Sequence, residues 1–195
     1  MQADSLDDLV AGIRACRICE NILDPRPVVQ IAKTAKLLVA GQAPGLRVHE
    51  TGLPFNDTSG DRLRLWMGID RETFYDASNV AVAGMAFCFP GYDAAGSDKP
   101  PPKICATHWR TRLLAARPPF ETTLLVGFYS QAWHLGERAR GNMTDTVKAW
   151  RTYAPRYIPL PHPSWRNNGW IKKNPWFEDE LVPYLRRRVR RVLRS

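Results

Sequence analysis

The chain is poor in what a membrane or secreted protein needs. No apolar stretch approaches the roughly 18 consecutive residues that cross a bilayer. The stretch from Met1 to Asp8 is acidic and has no apolar core of a signal peptide. These absences predict a cytoplasmic protein with no membrane partner, in a reducing setting where structural disulfides are rare. Cysteine and histidine are scarce, at four residues each in 195. No repeat, linker-like composition or low-complexity segment interrupts the chain, so residues 1–195 read as one domain, with a monomer as the default. Acidic residues are also few: 19 Asp and Glu face 28 Lys and Arg, a formal net charge of +9. The excess sits mainly between Pro155 and Ser195, where ten Arg and Lys meet three Asp and Glu, interleaved with Trp165, Trp170, Trp176 and Phe177. Such a basic, aromatic third suits a nucleic-acid partner. The run Arg186–Arg194 reads equally well as the solvated end of a helix, whose dipole favours arginine there.

Hydrophobic periodicity supplies the organisation. Residues 4–15 read as an amphipathic helix with Leu6, Leu9, Val10 and Ile13 on one face. Strands are expected near 36–41, 79–88, 122–127 and 156–160. Helices are expected over 59–67, with Ser59 as a possible cap and Leu63 and Trp66 inward, and over 103–116, 129–136 and 176–193. The apolar run 79–88 is typical of a strand buried on both faces. Loops fill 42–58 and the Gly-, Pro-, Asp- and Lys-rich stretch that ends at Pro102. The alternation predicts an α/β fold: a three-layer α/β/α sandwich around a short, mostly parallel four-stranded sheet.

Two loops at expected strand ends draw the most attention. One is Gly41-Gln42-Ala43-Pro44-Gly45; the other is Pro161-His162-Pro163-Ser164-Trp165-Arg166-Asn167. Loops at the carboxyl ends of parallel strands converge on one crevice, and Gly and Pro let the backbone approach a ligand and hold its shape. The cysteines form Cys16-x2-Cys19 and the distant pair Cys88 and Cys105. Four thiolates brought together would select zinc or an iron–sulfur cluster, which spacing alone does not separate. The alternative is four buried structural cysteines.

Together the two loops resemble the signature motifs of the uracil-DNA glycosylase superfamily, and Glu50-Thr51-Gly52-Leu53-Pro54-Phe55 resembles its Gly-x-Pro-Phe segment. Cys16-Arg17-Ile18-Cys19 with Cys88-Phe89-Pro90-Gly91 and Cys105 is similar to the ligand pattern of the iron–sulfur members, often called family four. That resemblance implies a 4Fe–4S cluster on Cys16, Cys19, Cys88 and Cys105, with zinc as the fallback. It implies a DNA partner containing uracil or abasic sites and hydrolysis of the N-glycosidic bond. Phe55 would stack on the extruded base, and His162 would donate to uracil O2 as negative charge develops there. The segment after His162 resembles the wedge loop of the single-strand-selective monofunctional enzymes, making Trp165 and Arg166 candidates to fill the vacated stack. Backbone around Pro44, Gly45 and Ser164 would grip phosphates.

Two positions depart from the pattern. Relatives carry a water-activating Asp or Asn where Ala43 stands, and family four commonly has Glu where Gln42 stands. The carboxylate is then either dispensable or supplied from elsewhere, first from Asp57, within Phe55-Asn56-Asp57-Thr58-Ser59-Gly60, which resembles a family-five stretch; its competing role is a helix N-cap, and Asp61 and Glu50 are weaker alternatives. Gly84 occupies the place of the strand Asn that reads the uracil edge. Reading would pass to Asn56, to backbone from Gly84 and Met85 to Phe87, or to a residue of another loop, alongside Gly41, Gln42 and Ala43. Hypoxanthine and xanthine stay open as bases, as does a non-catalytic or single-turnover binder. A metal-stapled RNA-binding module is a third reading, and it leaves Phe55 and His162 unexplained. Covalent capture of DNA by a histidine, known in some iron–sulfur relatives, is not expected of His134, which lies too early and lacks the arginine-rich loop.

Overall fold

In the computed structural model, which describes residues 4–195, the sheet follows from side-chain alternation in four short strands. The elements run α1 (Leu6–Arg14), β1 (Leu37–Ala40), α2 (Leu46–Thr51), α3 (Thr58–Met67), α4 (Arg71–Tyr75) and β2 (Val80–Val82). Then come α5 (Lys103–Cys105), a π-helical turn (Ala106–Arg110), α6 (Thr111–Ala115), β3 (Thr122–Val126), α7 (Phe128–Leu135) and α8 (Met143–Lys148). The chain closes with β4 (Tyr157–Leu160), α9 (Asn168–Lys173), a second π-helical turn (Phe177–Leu181) and α10 (Val182–Arg194). The strand order is β2-β1-β3-β4 and every pairing is parallel, so the sheet is wholly rather than mostly parallel.

Successive strand residues point to opposite faces, and here each face finds its own helices. Leu37, Val39, Val80, Val82, Leu124, Val126, Ile158 and Leu160 pack with Leu63, Trp66, Phe177, Leu181, Leu185 and Val189. Leu38, Ala40, Ala81 and Leu125 pack on the other side with Leu6, Leu9, Ile13, Trp109 and Leu113. Burying each large apolar side chain contributes about 1.5–3 kcal/mol, and both faces need covering, so the result is helix, sheet, helix.

The expected strands and major helices are present with shifted ends. β2 stops at Val82 rather than near residue 88 because the chain turns at Gly84, where Met85 N–H donates to Gly41 O (3.0 Å) and Ala86 N–H to Gln42 O (2.9 Å). The stretch 42–58 is not all loop: α2 forms there and ends on Gly52, in the left-handed region at φ 68°. Asp57, not Ser59, caps α3, accepting from Gly60 N–H at 2.8 Å. Leu63 and Trp66 face inward as expected, at 0% and 3% exposure. The helix expected over 103–116 is interrupted by the π-helical turn that ends at Arg110. Among the described residues no helix is long and apolar enough to cross a membrane.

Candidate functional site

The carboxyl ends of β1, β2 and β4 open into a cavity of about 570 Å³, lined by Gly41–Val48, Phe55, Asp57, Gly84, Ala86, Tyr92, Asp98, His162 and Ser164–Arg166, among others. Both signature loops therefore converge as the topology requires.

His162 follows β4 through the buried Pro161, and its carbonyl accepts from Asn167 Nδ2 at 2.6 Å. Burial pushes the imidazole below its ordinary value, while the carboxylates of Asp57 and Asp98 pull the other way. Burial prevails, so at neutral pH the ring is uncharged and carries one N–H to donate. Asp57 does both things weighed for it. Its Oδ1 caps α3, while the side chain also borders the cavity near His162 and its Oδ2 has no protein donor among the described residues.

Phe55 sits at φ 52°, a conformation disfavoured for a side-chain-bearing residue. Its carbonyl is gripped by Arg64 Nη1 (3.1 Å) and the Tyr75 hydroxyl (3.4 Å), and Arg64 itself is only 4% exposed. The ring lies against the Gly41 backbone, its Cζ 3.3 Å from where a Cβ at residue 41 would stand, and meets Phe74 edge-on. Gln42 lines the cavity with its amide packed into the space left by Gly127, at φ 85°. At the rim Trp165 is 66% exposed with Arg166 over its ring, and Arg62 Nη1 fixes the loop through Ser164 O at 3.1 Å.

The structure leaves two expected base-contacting residues outside. Asn56 does not line the cavity; its Oδ1 accepts from Arg71 Nη2 at 3.2 Å. Met85 is buried and its N–H is spent on Gly41 O. Position 84 has no room for an Asn: a Cβ there would lie 2.6 Å from Ala86 O and 3.2 Å from Gln42 O. The arginine run of α10 is placed away from the mouth. Arg188 bonds Thr122 Oγ1 (2.7 Å) and Glu121 O (3.0 Å) at the start of β3, and Arg186 bonds Leu65 O near the end of α3. These contacts lie at the amino pole of the sheet, so of the two readings of this run the solvated helix end is the one built. His134 is likewise outside the cavity, packed against Arg110.

Sequence reasoning missed Tyr92, Gly96 and Asp98. They reach the cavity on a small hairpin, bridged at Tyr92 and Asp98 and closed by Asp93 N–H to Ser97 O at 2.8 Å. The Asp-Ala-Ala-Gly turn was the available signal.

All four cysteines border one small apolar cavity with Ile13, Leu23, Phe87 and Trp109. Each thiol sulfur bar Cys19 has an N–H neighbour: Trp109 Nε1 to Cys16 Sγ at 3.4 Å, the Arg26 amide to Cys88, and the Phe87 amide to Cys105. Burial pushes the Cys88 thiol to about 12 and Cys105 to about 11, so binding a metal there displaces protons. Among the described residues no group of three Cys, His, Asp or Glu is gathered around a single ion position. The four thiols around this cavity are a soft donor set, of the chemistry that zinc and iron–sulfur clusters both take. Ala86 borders both this cavity and the larger one, so the segment 84–88 is their common wall.

A family model described as Uracil DNA glycosylase superfamily matches residues 28–186. The match takes in both signature loops, Phe55, Asp57, His162, Cys88 and Cys105, and leaves Cys16 and Cys19 outside it. With most of its length matched, and with the cavity at the sheet's carboxyl ends, the chain belongs to the Uracil DNA glycosylase superfamily.

Proposed function

We propose that this protein is a monofunctional uracil-DNA glycosylase of the iron–sulfur, family-four-like type, acting as a single-domain monomer. It flips uracil out of DNA and hydrolyses the N-glycosidic bond, leaving an abasic site. The observation that carries this reading is His162: a half-buried, neutral imidazole lining the same cavity as Phe55, Asp57 and Asp98.

Phe55 offers its face to the expelled base, and the strained backbone gripped by Arg64 and Tyr75 keeps the ring where the base arrives. As the bond to the sugar breaks, negative charge gathers on the base. A neutral N–H held in a dry site stabilises that charge without reorganising, and losing one such donor typically costs about 10²–10³ in rate. Asp57, anchored through one oxygen, presents the other to orient water or to stabilise the cationic sugar. Gln42 takes the position where family four carries Glu and contributes as a polar neighbour rather than a base. Trp165 and Arg166 fill the gap in the stack, while backbone at Pro44, Gly45 and Ser164 grips the flanking phosphates. Cys16, Cys19, Cys88 and Cys105 would hold a 4Fe–4S cluster, which supplies structural cross-linking of the N-terminal segment to the wall of the pocket.

The test is base release from matched oligonucleotides containing uracil, hypoxanthine or xanthine under single-turnover conditions. Rapid uracil release that falls by about two to three orders of magnitude in His162→Ala is the expected result. No release, together with tight salt-sensitive binding to uracil or abasic DNA, would sink the catalytic reading in favour of a damage binder.

A further inference from the structure

Arg110 is a fully buried arginine with no acid beside it among the described residues. Arg110 ends the π-helical turn after Cys105 and is 0% exposed, yet it joins none of the chain's ion pairs among the described residues. Burial draws it down to about 10, so it remains a cation at neutral pH. A buried unpaired charge is expensive, and the Arg110 donors are used at both Nη atoms while Nε has no partner among the described residues. Here Nη1 donates to Ala83 O (3.0 Å) and Gly84 O (2.8 Å), and Nη2 lies 2.6 Å from His134 Nε2. The guanidinium also stacks on Trp133, 5.1 Å from the ring centroid. His134 is pulled down to about 2 by burial and by that cation, so its Nε2 is the unprotonated acceptor.

The two carbonyls drawn inward belong to the segment that walls the pocket. Beside them, Gly84 N–H and Ala86 C=O have no hydrogen-bond partner among the described residues, whereas Met85 N–H and Ala86 N–H are both used. Gly84 and Ala86 both line the pocket. A free donor and a free acceptor two residues apart complement a lactam edge, one carbonyl beside one ring N–H. Uracil, hypoxanthine and xanthine present that edge. Cytosine has an acceptor at the ring nitrogen and does not.

We infer that Arg110 is the positioning residue for base reading. By holding the Ala83 and Gly84 carbonyls inward it leaves Gly84 N–H and Ala86 C=O as the backbone pair that reads the lactam of a deaminated base. Position 84 must be glycine for this, since a Cβ would collide with the Ala86 carbonyl. This inference rests on the glycosylase reading for its ligand class and assigns the work of the absent strand Asn to main chain. The same arginine sits five residues beyond Cys105, so one helical segment carries both a thiol of the small cavity and the guanidinium behind the reading edge.

Free uracil and 3-methyluracil, which lacks the ring N–H, are the probes, titrated against the full chain while the Gly84 and Ala86 amide resonances are followed by NMR. The wild type should bind uracil with a Gly84 shift and bind 3-methyluracil about tenfold or more weakly. In Arg110→Met and His134→Leu that ratio should collapse towards one, and His134→Gln, which keeps an acceptor, should restore it. Thermal midpoints are measured alongside, because a purely structural role weakens both probes equally and leaves the ratio intact. Should Arg110→Met fail to fold, the His134→Leu and His134→Gln pair decides. An unchanged ratio in the folded variants, or a Gly84 amide indifferent to uracil, overturns the inference. A wild type that discriminates the probes yet releases no base from DNA overturns the glycosylase reading alone.

Discussion

Replacing Gly60 by alanine reverses the sign that helix propensity gives. Gly60 lies in the first turn of α3, where Gly→Ala ordinarily stabilises by up to about 1 kcal/mol. Here the added Cβ would stand 1.7 Å from Phe55 O and 2.6 Å from Phe55 C, where ordinary contact begins at 3.4 Å. The neighbour is backbone, already at φ 52° and gripped by Arg64 and Tyr75, so it has no cheap retreat. Overpacking of this kind costs about 1–3 kcal/mol or more, which outweighs the propensity gain. The carbonyl must move by well over an ångström, and the Phe55 ring moves with it off Gly41. Displacements of about 1 Å at a reacting centre can cost about 10²-fold in rate. The expected outcome is a net loss of about 1–2 kcal/mol in urea unfolding and a single-turnover release rate down by about two orders of magnitude. A Gly60→Ala protein that is more stable than the parent and releases uracil at the parental rate would refute this account of the Phe55 turn.

Three further outcomes test separate parts of the structure. Asp57→Asn keeps a good N-cap and loses the charge, so stability should hold while release falls; Asp57→Ala should also lose about 1 kcal/mol of stability, and equal activity in both variants and the parent would remove Asp57 from the chemistry. Cys88→Ala should abolish bound iron and lower the thermal midpoint while His162→Ala leaves iron content unchanged; one zinc per chain in the purified protein would instead favour the smaller metal site. The third concerns pH: unfolded His134 takes a proton near 6.5, whereas the folded residue resists until about 2. Between those values the unfolded chain binds more protons, so the His134 contribution to stability should be level above about pH 6.5 and fall below it by up to about 1.4 kcal/mol per unit. His162 is shifted the same way and adds to the slope. Unfolding free energies that are flat between about pH 7 and 5 would contradict the buried Arg110–His134 pair.

Much of this architecture was legible because alternation and burial are local signals. β1 is an unbroken apolar run and β3 ends in one, Leu124–Val126, and their neighbours in the sheet follow from the same pattern. β2 was overextended because Ala83–Phe87 is as apolar as a strand, yet Gly84 turns the chain and Arg110, from a distant helix, takes its carbonyls. α2 was unread because only Val48 of its six residues is buried, leaving no periodicity to detect. The two signature loops and Phe55, Asp57 and His162 converge as their order suggested, since strand ends in a parallel sheet share one side. Asp98 escaped notice because a hairpin, not a strand, delivers it. Arg110 and His134 were invisible as a pair: an arginine and a histidine in separate helices carry no sequence mark of meeting in the interior. Asn56 misled because adjacency to Phe55 in sequence says nothing of direction, and Arg71 turns it outward.

The strand order also dictates when the molecule can take shape. β1 lies inside the sheet, pairing Leu37 with Val80 on one side and with Thr122 on the other. During synthesis it waits unpaired until β2 has emerged, and its second edge stays open until β3 follows. β3 in turn needs β4, with Thr123 facing Tyr157. Pairings between such distant segments pay loop-closure entropy before any contact repays it, so folding is slow compared with a helical bundle and its apolar edges are exposed meanwhile. Cys88 follows β2 and Cys105 lies in α5, so the four thiols can meet only after both strands of the first pair have been synthesised.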